Sequence, residues 1–415
     1  MSLRTYLLSK LKSDSYFNIQ CMELVKLIEK YNYIDIINEI LSIFKEYKIP
    51  FPYAHYFITD EKLEEKFKLL QCFNDVWKND KYFVNHTDQP EKPFPLTFLS
   101  SFDTSEYNLY IPNDKDYNRI DNITCYFTDV SRMSSYRYIK GVITKSPQDG
   151  WEEYDDYVRD AIENALKSGF GINAYTLREG LYFSQKRKGC PYTECAHERL
   201  CFLKMVFDKI VEPNESLRIF DACAGWGDRL ILAMALNADK YIGIEPNSKS
   251  TIGFNNAITK FGNSEKHMVL CDGCPNPVLP DDCDDGSFSI SFLSPPAFDS
   301  EFYSDDFKQS VSLFNNFDDW MIGFLIPTIE LCWKKLKIGG KLVIQSLLAA
   351  KINMYIQTFC LGSHYLGPLS IVTGRNRNKP LWIWQKTLKN EPLKYDLDIL
   401  EYQLGKKVLD YITQV

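Results

Sequence analysis

Apolar residues are spaced in two ways along this chain. Over residues 18–48, Leu24, Leu27, Ile28, Ile34, Ile37, Leu41 and Phe44 recur at the period of an amphipathic helix. The Ile-Pro-Phe-Pro run at 49–52 stops it, because proline disfavours helix at the residue before it. Residues 60–79 repeat the helical period with Leu63, Phe67, Leu70 and Phe73. Residues 82–120 hold Pro90, Pro93, Pro95 and Pro112 among Asp and Asn, which predicts loops and short strands. Further helices are predicted over 151–168 and 194–211.

From residue 217 the pattern changes. Short apolar runs at 217–220, 241–244, 268–271, 287–293 and 341–346 have the length of buried strands. Helical patterns lie between them at 230–236, 254–261 and 318–336. For the last helix, Asp318 is the expected N-cap and Gly339-Gly340 the expected stop. Runs at 369–372 and 381–385 predict a hairpin, and 396–415 a closing helix. Strands alternating with helices predict a parallel sheet covered on both faces. Such sheets bind ligands beyond the carboxyl ends of their strands. Asp221, Glu245, Asp272 and Ser294 all fall at predicted strand ends.

Composition narrows the class. The chain has 415 residues, 45% hydrophobic and 25% charged, enough for a large core and two domains or one extended one. The expected division is an N-terminal domain over 1–150, a main domain over 151–390 and a C-terminal helix over 391–415. No apolar stretch approaches the roughly 18 to 20 residues that cross a bilayer, and the N-terminus has no long apolar secretory segment. Twelve scattered cysteines, many in apolar contexts, suit a reducing, cytoplasmic setting better than a disulfide framework. The net charge of −7 argues against indiscriminate nucleic-acid binding but permits a local basic face.

The most informative stretch is Asp221-Ala-Cys-Ala-Gly225-Trp-Gly227, a glycine turn between a strand and a helix. Such a turn lets backbone approach a ligand closely. Glu245 ends the next strand, where a carboxylate can accept both hydroxyls of a ribose. A dinucleotide site would need a third glycine, which is absent, and Asp228 at the helix start would repel a pyrophosphate. A cationic or zwitterionic nucleoside suits these carboxylates better.

This turn, with an acid ending the second strand and another ending the third, resembles class I S-adenosylmethionine-dependent methyltransferases over roughly residues 180–390. The resemblance implies a Rossmann-like α/β fold, mostly parallel with an antiparallel C-terminal hairpin, after a largely helical N-terminal extension. It places Asp221, Ala222 and the Gly225 and Gly227 backbone beside the methionine part of S-adenosyl-L-methionine. It places Glu245 on the ribose and Asp272 at the adenine amino group. In related enzymes the segment before the first strand closes over the cofactor, a role open to Tyr182-Phe183-Ser184.

A second stretch, Ser294-Pro295-Pro296-Ala297-Phe298, follows a predicted strand. Consecutive prolines end a ladder and fix a rigid turn. Methylation of an exocyclic amine needs such a turn. Hydrogen bonds from the N–H groups to a side-chain oxygen and a carbonyl draw the nitrogen toward sp³ and aim its lone pair. A neighbouring ring can stack on a flipped base. The stretch resembles the Asp/Asn/Ser-Pro-Pro-aromatic motif of amino-methyltransferases, closest to DNA methyltransferases of phages and large DNA viruses. It departs from it at Ala297, where an aromatic residue is expected; Phe298, Phe302 and Tyr303 are candidate replacements. By this resemblance Ser294, Pro295, Pro296 and Phe298 are the catalytic set, and the substrate is the exocyclic amine of a nucleic-acid base, with N6 of adenine or N4 of cytosine in DNA favoured over RNA.

No target-recognition domain fits between the cofactor turn and the Ser-Pro-Pro turn. Recognition then falls to residues 1–150 or to the loops at 298–317 and 373–380. Arg375, Arg377 and Lys379 form the strongest basic loop, suited to phosphates and base edges, or else a solvated hairpin tip. Lys186-Arg187-Lys188 reads as an exposed face. Cys190, Cys195, His197 and Cys201 do not have the spacing of paired zinc knuckles, so no metal is expected. Two alternatives stand beside nucleic-acid methylation. One is a non-catalytic methyltransferase-fold subunit that binds nucleic acid or regulates. The other is methylation of RNA, a small molecule or a protein.

Overall fold

The computed structural model describes residues 1–11, 16–72, 108–110, 120, 122–139, 141–188, 192–212, 214–346, 348–372, 381–388 and 397–414. The described strands are β1 (Asn108–Tyr110), β2 (Tyr136–Ile139), β3 (Val142–Ile143), β4 (Arg218–Asp221), β5 (Lys240–Ile244) and β6 (His267–Leu270). They continue with β7 (Phe288–Leu293), β8 (Glu301–Phe302), β9 (Leu336–Gln345), β10 (Ser363–Val372) and β11 (Leu381–Lys386). Eight of them form one sheet in the order β1-β10-β11-β9-β7-β4-β5-β6, and the other three a sheet in the order β3-β2-β8. Two compact units interleave along the chain. Unit one comprises Met1–Glu64, Cys125–Ala196 and Asp299–Ser304; unit two comprises Glu65–Thr124, His197–Phe298 and Asp305–Val415.

In unit two, β9, β7, β4, β5 and β6 are mutually parallel, while β11 runs antiparallel to both β9 and β10. This mostly parallel, Rossmann-like sheet with an antiparallel C-terminal hairpin is the fold class expected from the sequence. β5 and β7 are buried throughout; residues 241–244 of β5 accordingly read as an unbroken run, whereas β7 carries Ser289 and Ser291 between its apolar residues. The two hydroxyls inside β7 are satisfied: Ser291 Oγ donates to Cys332 O at 2.8 Å and Ser289 Oγ to Arg218 O at 3.0 Å. Phe220, Ile242, Phe288, Trp320, Leu342 and Trp382 form the core on one face of the sheet. Strand order reverses between β4 and β7, so the ligand crevice of such a sheet lies over their carboxyl ends.

Unit one is largely helical, as expected of the N-terminal extension. Helices Cys21–Lys30, Tyr33–Tyr47, Arg159–Ser168 and Ala174–Lys188 bury Leu27, Phe44, Ile162 and Leu177. Trp151 Nε1 donates to Ile49 O at 2.8 Å in the same core. Gly180 permits the last two helices to touch, since a Cβ there would lie 2.4 Å from Ala161 O.

Several element boundaries differ from expectation, each for a local reason. The single helix over 18–48 is two, because Asn32 caps the second by accepting from Ile34 N. The helix expected over 318–336 starts at Phe317, capped by Asn316 rather than Asp318. It includes a wider turn at Met321–Leu325 and ends at Lys335. Gly339-Gly340 does not stop it: the chain passes directly into β9, where Gly339 adopts φ +84°. The closing helix is broken at Gly405, φ +87°, into Leu397–Leu404 and Lys406–Gln414.

Candidate functional site

The glycine turn leaves β4 and enters the helix Asp228–Ala235. It is anchored to the strands on either side: Ala222 N donates to Phe292 O at 3.0 Å and Ala224 N to Ile244 O at 2.8 Å. Both glycines are left-handed, Gly225 at φ +60° and Gly227 at φ +93°. Gly227 is also sterically required, since a Cβ would meet the Phe254 ring at 3.0 Å. A Cβ on Gly225 would approach nothing closer than Cys223 O at 3.9 Å, so the backbone there faces open space.

Glu245, just beyond β5, closes this turn. Its Oε2 accepts from Gly225 N and its Oε1 from Asn247 N, both at 3.0 Å, and the Gln309 side chain also donates to it. Burial pushes its carboxyl up to about 7, against these donors. Because the folded state then holds a proton that the unfolded chain has lost, stability falls as pH rises from about 4.5 to about 7.

Beneath the turn lies a buried network that the sequence reading missed. Asp221 is wholly buried and its Oδ2 accepts from Arg229 Nε and from Tyr241 OH, both at 2.7 Å. Arg229 also pairs with Glu198 Oε2 at 2.5 Å, donates to Cys223 O, and lies over the Phe292 ring at 4.5 Å. Asp221 thus braces the turn from below. Asp228 turns to His197 Nδ1 at 3.2 Å and to Glu198 N at 2.9 Å. Burial opposes its ionisation, but His197 and the other donors outweigh this and hold its carboxyl below the usual range. One signal could have revealed Arg229: every residue of the helix Asp228–Ala235 is buried, so an arginine inside it must be paired.

Asp272 follows β6. It accepts from Lys308 Nζ at 2.7 Å and from Val278 N and Gly273 N at 2.9 Å. Burial raises its carboxyl, and these three donors more than reverse that. Lys308 and Gln309 therefore reach consecutive strand-end acids, and neither was anticipated from the sequence.

Ser294 follows β7 and stands next to Gln345 at the end of β9, because Leu293 and Ile344 are register partners. Ser294 Oγ donates to Gln345 Oε1 across a long 3.5 Å contact. Pro295 and Pro296 are half-buried and Ala297 is exposed. The Phe298 ring packs edge-on to Phe317 and tilted to Trp320, each at 6.0 Å. Phe302 is in unit one, stacked on Tyr136 at 4.9 Å, and Tyr303 there donates to Glu301 Oε2 at 2.5 Å. Ala222, Gly225, Glu245, Asp272 and Ser294 thus lie at carboxyl ends of the adjacent strands β7, β4, β5 and β6. That row spans about 14 Å at the usual spacing between strands.

Arg375, Arg377, Lys379 and Cys190 lie outside the described residues, as do the side chains of Phe183, Ser184, Lys186, Arg187 and Lys188. Among the described residues no group of His, Cys, Asp and Glu could hold a metal ion. Cys195 and Cys201 are buried, the Cys195 thiol donates to Tyr136 O at 3.4 Å, and His197 faces Asp228. No described helix is long and apolar enough to cross a membrane.

No protein-family model matches the chain, and no curated protein matches it. Solved structures similar to it include an rRNA methylase from Streptococcus thermophilus, at 13% identity over 46% of this chain and 99% of that one, TM-score 0.31. An S-adenosylmethionine-dependent O-methyltransferase from Thermotoga maritima matches at 17% identity over 51% and 71%, TM-score 0.28. The 16S rRNA N2 G1207 methyltransferase of T. thermophilus, in complex with AdoMet and guanosine, matches at 15% identity over 46% and 40%, TM-score 0.26. These likenesses are distant, and the reading of the site rests on the strand-end geometry of this chain.

Proposed function

We propose that the chain is an S-adenosylmethionine-dependent methyltransferase that methylates an exocyclic amino group of a nucleic-acid base, in DNA more than in RNA. The row of Asp272, Glu245, the glycine turn and Ser294 along neighbouring strand ends carries this reading. It offers a nucleoside site at one end and an amine acceptor at the other. Bound S-adenosyl-L-methionine would supply an electrophilic methyl group on a sulfonium. Glu245, held by Gly225 N and Asn247 N, would accept the ribose hydroxyls, and Asp272 the adenine amino group. The open space at Gly225 admits the methionine portion against bare backbone.

On the acceptor side, the Ser294 O–H points to Gln345, so its lone pairs remain for an amine N–H. The Pro295 carbonyl is the second acceptor. Both draw the amine nitrogen toward sp³ and align its lone pair for in-line attack. With that donor bound, the amine would take the methyl from the sulfonium sulfur and release its surplus proton to solvent.

A second reading, a non-catalytic methyltransferase-fold subunit, is favoured by one observation. Ala297 is exposed where an aromatic residue is expected, and the Phe298 ring is already packed by Phe317 and Trp320. Transfer of label from tritiated S-adenosylmethionine to DNA, RNA or protein separates the readings. Label in nucleic acid is expected, and label in protein alone would end the nucleic-acid proposal. Calorimetric titration tests the cofactor directly, and absence of binding would leave the second reading.

The titration of Glu245 adds a prediction. Only its carboxylate can accept both ribose hydroxyls, so cofactor affinity should weaken by about tenfold per pH unit below about 7. Calorimetry between pH 5.5 and 8 reads this directly. A flat profile would remove Glu245 from the ribose.

A further inference from the structure

We propose that Lys308 reads the adenine ring of the cofactor, donating to the ring nitrogen beside the amino group that Asp272 accepts. This rests on the reading of the strand-end row as an S-adenosylmethionine site, and not on which substrate is methylated.

Two consecutive residues of unit two meet two consecutive strand-end acids. Gln309 is buried and donates to Glu245, while the Lys308 side chain is 40% exposed and reaches Asp272 Oδ1 at 2.7 Å. The backbone on either side is fixed. Lys308 N donates to Asp306 Oδ1 and Gln309 N to Asp306 O, each at 3.1 Å. Leu313 N returns to Gln309 O at 3.2 Å across the short helix Ser310–Leu313. The buried indole N–H of Trp320 donates to Ser310 Oγ, also at 3.2 Å. The chain passes so close to the end of β6 that a Cβ on Gly273 would lie 3.2 Å from Lys308 O. Lys308 is therefore held against the residue next to Asp272 and is not a lysine that drifts near an acid.

The strength of the ion pair does not account for a lysine here. The pair is partly solvated, and such pairs contribute little. Gly273 N and Val278 N already hold the carboxylate. What Lys308 adds is a donor alongside an acceptor. Asp272 Oδ1 accepts from both Lys308 Nζ and Gly273 N, whereas Oδ2 accepts from Val278 N alone and retains a lone pair. The donors also hold the Asp272 carboxyl below its usual range, so it stays an acceptor. An ammonium carries three N–H groups and Asp272 engages one, which leaves donors on the exposed head for a ligand. An acceptor beside a donor is complementary to adenine, whose edge presents an amino N–H beside ring nitrogen N1. A 6-oxo purine presents an oxygen beside an N–H, and would set like against like at both positions.

Calorimetry on the full chain with S-adenosylhomocysteine and its 1-deaza analogue, in which N1 is replaced by C–H, tests this without turnover. The unaltered chain should bind the parent about tenfold more tightly than the analogue. Lys308→Met should lose about tenfold for the parent and less than about twofold for the analogue. Both ligands carry the amino group, so any change that the substitution makes at Asp272 weakens both alike and cancels in the comparison. Lys308→Arg keeps a donor and should restore part of the difference. Gln309→Leu loosens the same turn without removing a group from the base and should weaken both ligands equally. S-inosylhomocysteine should bind more weakly than either. Equal affinity of the unaltered chain for parent and analogue, or an equal loss of both in Lys308→Met, would overturn the assignment and leave the cofactor reading standing. No binding of the parent would remove the cofactor reading itself, and this proposal with it.

Discussion

Replacing Ser294 by alanine should lower methyl transfer by about 100-fold or more while S-adenosylmethionine affinity stays within about twofold. The two effects separate because they arise at different strand ends. The proposed donor contacts lie beyond β4, β5 and β6, whereas Ser294 stands beyond β7, beside the end of β9. Alanine keeps the Pro-Pro turn and deletes only the hydroxyl that donates to Gln345 and is proposed to accept the amine N–H. A planar, conjugated amine then loses one of two groups that reshape it, and the loss falls on kcat rather than on cofactor binding. Gln345→Leu should produce a smaller fall in the same parameter, because it only orients Ser294. Single-turnover kinetics with labelled cofactor measures both. Full activity in Ser294→Ala would remove this residue from the chemistry and favour the non-catalytic reading.

The second large effect is on stability. Arg229→Leu should destabilise unit two by roughly 3 to 5 kcal/mol, because it strands two buried carboxylates, Asp221 and Glu198, without their cation. On a domain of this size that is roughly a 10 °C fall in Tm. The loss is one of pairing rather than of volume. Asp221→Leu combined with Arg229→Leu should therefore recover part of it, as apolar replacement of both partners often does. Thermal unfolding of the two variants checks this. A single-variant loss below about 1 kcal/mol would mean that water reaches the network and that it does not brace the turn.

The sequence disclosed most where physics acts over short stretches. The apolar run at 241–244 became the buried strand β5, and the glycines at 225 and 227 became left-handed turn residues. Strand-end acids could be ordered because alternation with helices dictates parallel pairing. What stayed hidden depended on partners far apart in the chain. Arg229 joins Glu198 and Asp221, Lys308 reaches Asp272 across 36 positions, and Gln309 meets Glu245. No local period marks such pairs. Helix starts were misplaced where two polar candidates stood close together, as with Asn316 and Asp318. Phe298 was expected to be a stacking ring; its neighbours Phe317 and Trp320 became apparent only once the chain had folded.

The chain enters unit one at Asp299, immediately after Phe298, and returns to unit two at Asp305. In between, β8 pairs with β2, and Arg137 pairs with Glu301 at 3.2 Å. Modular exchange is therefore closed to this architecture. A fragment starting at His197 would carry β8 as an orphan strand with its ladder groups bare, an invitation to aggregate. A partner domain could not be swapped at the N-terminal side without rebuilding six residues in the middle of the other unit. The Ser-Pro-Pro turn is spliced directly to that graft, so the two units would have to be inherited together.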